Sequence, residues 1–385
     1  MIKMKFELEE KHKLVRRSVR TFAEKILAPL APIMDREEKF YPEIIKESSM
    51  MNLWGITIPE KYGGAELDII TYLISIEEIS RICASTALTV SVHNAFGTIP
   101  IYKLGNEEQK DRFLHDLTSG KKIAGFSWTE PNAGSDARSI ECMAVEDGKD
   151  FVLNGSKIFV TNGAIASVFL VGTRYQTSDN QKGFTLVIVE KDMEGFEIGP
   201  KENKMGMRGN PTTSLYFNNV RVPKGNVLGN LENGFKYAMQ MLDFGRIGIA
   251  AQALGIAQAA YEHSVNYAKG RIQFKKPISQ FQGVSFKLAE MATKIDAARL
   301  LVYRAGYLSE RNKNFSKEAA MCKLFASKVA RQVSQEALQI HGGYGYMKDL
   351  PIERYYRDAK ACEIYEGTSE IMKIIIANQI LRGNN

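Results

Sequence analysis

The sequence predicts an α+β fold in three sections: an N-terminal α-helical domain, a central mostly antiparallel β domain and a C-terminal α-helical bundle. Three observations across its 385 residues support this. Apolar residues recur at helical spacing up to about residue 120. Short β-type runs separated by Gly, Asn and Asp clusters then take over, and long helical patterns return from about residue 229. The expected domains are therefore 1–120, 121–228 and 229–385, in keeping with two or three folding units for this length.

In chain order, Leu14, Val15, Val19, Phe22 and Ile26 mark the first helix, which Pro29 and Pro32 are expected to stop. Pro59 to Gly64 reads as a turn-rich loop and Leu67 to Cys83 as helix. In the middle section, Phe151 to Leu153, then Asn154-Gly155, then Lys157 to Thr161 predict a β-hairpin, because Asn-Gly supplies the two positive φ angles of a type I′ turn. Val168 to Thr173, Phe184 to Glu190 and Ser214 to Val222 read as further strands. In the last section, Leu288, Met291, Ala292, Ile295, Ala298 and Val302 form an apolar stripe with Lys287, Glu290 and Lys294 opposite, the pattern of a bundle helix.

Composition narrows the class. An apolar share of 44% and a charged share of 25% describe a globular chain, not a disordered one or a rod. No run approaches the roughly 18 consecutive apolar residues of a membrane span. The first residues lack the apolar core of a signal peptide, and Glu7, Glu9 and Glu10 argue against a transit peptide, so a cytoplasmic location is expected. The net charge of +7 has its excess in the C-terminal third, which suits an anionic, phosphate-bearing ligand. The densest basic cluster, Lys13 to Arg20, alternates with apolar residues like a solvated helix face and gives no sign of nucleic-acid binding. Cys83, Cys142, Cys322 and Cys362 are too widely spaced for a zinc site and read as reduced, mostly buried thiols. GxGxxG, P-loop, GxSxG and HExxH motifs are all missing, which removes Rossmann, kinase, serine-hydrolase and zinc-protease readings.

Three polar and glycine-rich clusters remain. Gly125-Phe126-Ser127-Trp128-Thr129-Glu130, continuing to Asp136, offers hydroxyls and backbone N–H groups that can meet a heteroaromatic ring or phosphates, or can form an ordinary turn. Gln339-Ile340-His341-Gly342-Gly343-Tyr344-Gly345-Tyr346 interrupts a helical pattern and permits close backbone approach to a ligand, or caps a helix. In Ile364-Tyr365-Glu366-Gly367-Thr368-Ser369-Glu370-Ile371, Gly367 ends one helix and Thr368 or Ser369 can cap the next. Glu366 then sits at a break among apolar and aromatic residues. Desolvation there would raise its pKa, as a general base working near neutrality requires.

Taken together, these clusters resemble the acyl-CoA dehydrogenase family along essentially the whole chain. TEPNAGSD looks like the family's first motif, QIHGGYGYMKDLPIERYYRDAK its second, and EIYEGTSEI the segment carrying its catalytic glutamate. KIFVTNG and RIQFKKPISQFQ are similar to two further flavin-contacting stretches. The resemblance implies an FAD enzyme in which Glu366 removes the α-proton of an acyl-CoA thioester and the β-hydrogen leaves as hydride to flavin N5, giving a trans-2-enoyl-CoA. It implies that Phe126, Ser127, Trp128, Thr129 and Ser135 line the flavin and pyrophosphate, with Phe159, Val160 and Thr161 near the ring. Phe159 stands where many members carry tryptophan, and Trp128 where an aliphatic residue is more common. It also implies that Arg271, Phe274, Gln282, Gln339, Gly342 and Gly343 reach FAD from a neighbouring subunit of a homotetramer, and that Thr368, Ser369 and Glu370 contact its adenosine half.

By the same resemblance, Asp243, Phe244, Gly245, Arg246, Ser135 and Gly367 contact acyl-CoA, electrons leave to electron-transfer flavoprotein, and no metal takes part. Gly245 occupies the position where some branched- and long-chain members place their base, so the base is assigned to Glu366. The segment His93 to Pro100 is similar to the lining of the distal acyl pocket. There Gly97 and Thr98 are expected to leave room and Phe96 to close the end. An oxygen-using acyl-CoA oxidase of this fold would share most of these motifs but is usually much longer. A non-catalytic acyl-CoA-binding relative would be expected to lose the base or the flavin contacts, and this chain keeps both.

Overall fold

The computed structural model describes residues 7–311 and 314–381. Residues 1–6, on which part of the reading of the N-terminus rests, lie outside the described residues. Helix α1 (Glu10–Phe22) starts behind a capping box in which Glu9 and His12 satisfy each other's backbone N–H groups. The prolines do not stop it. A π turn, Ala23–Leu27, widens the helix so that the Ala28 N–H bonds to the Ala23 carbonyl, and α2 (Ala28–Glu37) continues through Pro29 and Pro32. The wide turn places Pro29 in a restarted first turn, where its missing N–H is not needed. The helix ends instead at Glu38, in the left-handed region.

Five more helices complete the first section: α3 (Glu43–Ser49), α4 (Ile69–Ile82), α5 (Ala84–His93), α6 (Ile99–Leu104) and α7 (Glu107–Thr118). A second π turn, Asn94–Thr98, joins α5 to α6 just ahead of Pro100. The basic cluster on α1 is more than a solvated face. Arg16 and Arg20 both pair with the buried carboxylate of Glu78 and so tie α1 to α4.

Among the described residues the middle section forms one seven-stranded sheet. Its strands are β1 (Ala124–Ser127), β2 (Met143–Asp147), β3 (Asp150–Val160), β4 (Val168–Gln176), β5 (Lys182–Glu190), β6 (Phe196–Lys201) and β7 (Thr213–Pro223). β1 and β2 pair in parallel along β4, and every other pairing is antiparallel. The hairpin expected at Asn154-Gly155 is not formed: β3 runs straight through it. The turn lies at Gly148-Lys149, where Asp147 pairs with Asp150 and Gly148 takes φ +61°. Asn154-Gly155 marks a bulge, since the register against β7 slips between Leu153 and Gly155. Gly155, at φ +141°, approaches the residue just before β2 so closely that a Cβ would stand 2.8 Å from Cys142 Cα. Glycine is required there for a close approach, not for a turn.

The last section comprises α8 (Gly234–Gly270), the short strands β8 (Ile272–Gln273) and β9 (Lys276–Pro277), α9 (Gln282–Ser309), α10 (Ser316–His341), α11 (Gly343–Tyr346), α12 (Ile352–Ala361) and α13 (Ser369–Leu381). The expected stripe of α9 faces inward, with Met291, Ile295, Ala298 and Val302 buried. The 37-residue α8 is the central strut, packing on α4 and α5 from the first section and on α9, α10 and α12 from its own. Both helical sections therefore share one core, and the sheet docks against it. All four cysteines are free and buried. No described helix is long and apolar enough to cross a membrane.

Candidate active site

Between α12 and α13 the chain makes a left-handed break, with Glu366 at φ +53° and Gly367 at φ +102°. A non-glycine residue in that region costs about 1–2 kcal/mol, so the surroundings must hold it. Two buried cations do so. Arg246 on α8 directs its Nε to the Glu366 carbonyl at 3.4 Å, and Lys323 on α10 donates to the Gly367 carbonyl at 2.5 Å. Arg246 is itself fixed by Asp243 at 2.6 Å, and Asp243 accepts the Ser316 hydroxyl at 3.1 Å. Thr368 Oγ1 accepts the Ile371 N–H and caps α13.

Both carboxylate oxygens of Glu366 are buried and lack a hydrogen-bond partner among the described residues. They lie against Gly245, where a Cβ would stand 2.3 Å from Glu366 Oε2 and 2.4 Å from Phe96 Cζ. Phe96 in turn stacks on Phe126 with ring centres 4.7 Å apart. Desolvation pushes the Glu366 carboxyl up to about 8, with the positive charges of Lys323 and Arg246 pulling the other way. The Tyr72 hydroxyl, paired with Ser91 at 2.9 Å, also stands within the field of Glu366.

Phe126 leads to the edge where β1 meets the end of β3. The Thr129 carbonyl accepts the Ile158 N–H at 3.0 Å, and a Cβ on Gly125 would stand 3.4 Å from the Thr161 carbonyl oxygen. Phe126 to Thr129 and Phe159 to Thr161 are thus adjacent. Phe159 takes φ +56° and turns its ring outward, 63% exposed, while Val160 points into the core and pairs with Thr213. Ser127 Oγ and Thr213 Oγ1 are buried without partners among the described residues. An outward aromatic ring beside unanswered hydroxyls fits a planar, polar-edged cofactor such as a flavin.

Trp128 departs from expectation. Its indole is buried, donates to the Ala137 carbonyl at 2.8 Å and fills a slot opened by Gly172, whose Cβ would stand 2.1 Å from the ring. Only its main chain is left to face a cofactor. Glu130 clamps the loop that follows. It pairs with fully buried Lys157 at 2.7 Å and accepts the Cys142 N–H at 3.0 Å. Ser135 is exposed on that loop.

A cavity of about 570 Å³ lies between α6 and the first turns of α8, lined by Ala95, Ile99, Lys103, Met241, Asp243 and Phe244 among others, but not by Glu366 or Gly367. The Lys103 ammonium stands 4.0 Å from the Phe244 ring centre. Gly97 does not line it as expected. A Cβ there would stand 2.3 Å from Ala124 Cβ, so Gly97 exists to let the π turn pack on β1.

Arg271, Gly342 and Gly343 come together in a separate cleft of about 510 Å³ with Tyr267, His341 and Tyr344. Phe274, Gln282 and Gln339 are exposed. These residues share no lining with the first cavity. Thr368 and Ser369 stand half-buried at the start of α13, and Glu370 is exposed. The tail of the second motif is structural: buried Asp358 accepts the Met207 N–H at 2.6 Å, and Arg357 pairs with Asp35 and Glu353. Sequence reasoning missed Lys323 and Tyr72, whose one available signal is a polar side chain in an otherwise apolar helical stretch.

Comparison with known proteins agrees with this geometry. The chain matches the sequence profiles of the acyl-CoA dehydrogenase N-terminal domain over residues 9–121, middle domain over 125–220 and C-terminal domain over 232–381. It is 49% identical to an acyl-CoA dehydrogenase of Bacillus subtilis, over 96% of this chain and 98% of that one. Butyryl-CoA dehydrogenase from Megasphaera elsdenii superposes with a TM-score of 0.95 at 42% identity, covering 98% of this chain and all of the other. A chain from the structural work on the electron-transferring flavoprotein of Acidaminococcus fermentans superposes with a TM-score of 0.96 at 44% identity, covering 99% and 100%. Fold and site thus define an FAD-dependent oxidoreductase acting on acyl-CoA thioesters. The chain belongs to the acyl-CoA dehydrogenase family.

Proposed function

We propose that this chain removes the α- and β-hydrogens of a short-to-medium straight-chain acyl-CoA, with Glu366 as the base. The observation that carries the reading is the Glu366 carboxylate: buried, without a hydrogen-bond partner among the described residues, pushed up to about 8 by desolvation, and facing a glycine. A carboxylate with that proton affinity is matched to proton abstraction near neutral pH. The α-proton moves to a Glu366 oxygen as its electron pair passes toward the thioester carbonyl. The main-chain N–H of Glu366, which makes no hydrogen bond among the described residues, is the donor available to that oxygen in a dry site. FAD, when bound, supplies the acceptor for the β-hydrogen, which leaves as hydride, and the product is a trans-2-enoyl-CoA.

Phe126 to Thr129, Phe159 and Thr161 hold the flavin from this chain. Arg271, Phe274 and the Gln339–Gly343 loop hold it from a second copy in a homotetramer. Asp243, Phe244 and Arg246 meet the thioester and its carrier. The Phe96–Phe126 stack next to Gly245 limits the depth available to the acyl chain. That limit, with the likeness to a butyryl-CoA dehydrogenase, supports short-to-medium substrates. Electron-transfer flavoprotein is the electron acceptor, in line with the similar chain from that system.

The test is anaerobic mixing of the yellow protein with a panel of acyl-CoA thioesters while flavin absorbance is followed. Bleaching should peak among short-to-medium straight chains and fall about 10²–10⁴-fold in Glu366→Gln. A Glu366→Gln variant that bleaches at near wild-type rate would place the base elsewhere.

A further inference from the structure

Lys323 is fully buried in α10, on a face with Ala319, Ala320, Ala326 and Ser327. No carboxylate lies within ion-pair distance of it among the described residues. An ammonium without such a partner is costly to bury, and a methionine of similar length would fill the same space at lower cost. Its hydrogen bond runs to the Gly367 carbonyl at 2.5 Å, one residue beyond Glu366. Burial pulls the lysine down to about 8, and Cys362 and Glu366 act against that pull.

The groups facing Glu366 come from several elements. They are Lys323 on α10, Arg246 on α8 and Tyr72 on α4, with Tyr365 and Cys362 in its own segment and Asp243 behind Arg246. Arg246 has Asp243 as counter-ion at 2.6 Å. Among the described residues Lys323 is therefore a positive charge of the site without an ion-pair partner. Its geometry also matters, because the Gly367 carbonyl belongs to the left-handed pair that sets the direction of the Glu366 side chain.

We propose that Lys323 is a positioning residue for α-proton removal, fixing the Glu366-Gly367 turn through the Gly367 carbonyl and balancing the negative charge of the carboxylate. This rests on Glu366 being the base. Without the ammonium, the turn loses one of its two anchors and the carboxylate holds its proton more tightly.

The experiment uses the holoenzyme and a 3-thia-acyl-CoA, which can lose its α-proton but carries sulfur where the β-hydrogens would leave. Exchange of the α-hydrogens with D₂O is followed by mass spectrometry across pH, together with FAD content and thioester affinity. Lys323→Met should slow exchange by about 10²-fold, the scale of a small misplacement of a reacting group. It should also move the rise of exchange with pH upward, with FAD content and affinity retained, and Lys323→Arg should restore most of the rate. Wild-type exchange with an unchanged pH profile in Lys323→Met would overturn the proposal. So would equal loss of exchange, FAD and affinity in both variants, which would make Lys323 a folding residue. Failure of the Glu366 reading looks different: the wild type would not exchange, or Glu366→Gln would exchange normally, and the role of Lys323 would fall with it.

Discussion

Gly245 decides whether Glu366 can occupy its position. Any Cβ at 245 meets both the carboxylate and the Phe96 ring, at 2.3 and 2.4 Å, so one or both must be displaced. Gly245→Val should therefore lower the rate of flavin reduction at least about tenfold while FAD absorbance stays, measured by stopped-flow mixing with a short-chain thioester. The same carboxylate also imposes a cost on the fold. A carboxyl whose pKa is raised from 4.5 to about 8 binds its proton more tightly folded than unfolded. Its contribution is fully present below about pH 4.5 and is lost as pH rises through about 8. Glu366→Gln removes that loss, so it should melt at a higher temperature than the wild type at pH 9 and at nearly the same temperature at pH 4.5. The difference at pH 9 should be on the order of a few kcal/mol at most. A variant less stable than the wild type at pH 9 would show that the carboxylate has a partner when charged. Catalysis has the opposite requirement: the base works deprotonated, so kcat/KM should climb with pH and level off above about 8.

At the scale of elements, the Lys157–Glu130 pair joins β3 to the loop after β1 and so sets the loop that the first motif names. Lys157 is fully buried, so Lys157→Met leaves Glu130 with an uncompensated charge, a change that costs about 3–5 kcal/mol. The melting temperature should fall by several degrees, and adding Glu130→Gln should recover part of it. A single variant as stable as the wild type would mean the pair does not hold the loop. Elements with a clear period were legible in the sequence: α4, α9, β4, β5 and β7 all lie where their apolar patterns place them. Two of the misread places used local rules that tertiary contacts outweighed. β3 is bonded to β2 on one side and β7 on the other, so continuous ladders override the Asn-Gly turn preference. The π turn ahead of Pro29 absorbs what would otherwise break the helix. The site was legible where chemistry needs glycines, hydroxyls and a carboxylate at a helix break. Lys323 and Tyr72 were not, because a polar residue on a helix looks solvent-facing until the neighbouring helices are placed.

At the scale of the whole molecule, the predicted flavin contacts fall into two groups that one chain does not unite. Phe126 to Thr129 and Phe159 to Thr161 lie beside the Glu366 site, whereas Arg271, Gly342 and Gly343 line a cleft of their own. Next in sequence to residues lining that second cleft, large apolar side chains are open: Phe274 is 88% exposed, Tyr346 80% and Ile272 59%. Aromatic groups left open near a cation and a glycine pair would suit a surface shared with another copy of the chain, as the proposed homotetramer requires. The closed assembly would bring the Arg271 cleft of one copy to the Phe159 edge of another and complete each flavin site. The purified protein should then elute as a tetramer with one FAD per chain. Phe274→Glu places a charge on that surface without touching Glu366, Arg246 or Lys323. It should give a smaller species with unchanged far-ultraviolet circular dichroism and little bound FAD, and added FAD should not restore the colour. A Phe274→Glu protein that runs as a monomer yet keeps one FAD per chain would show that each chain completes its own flavin site.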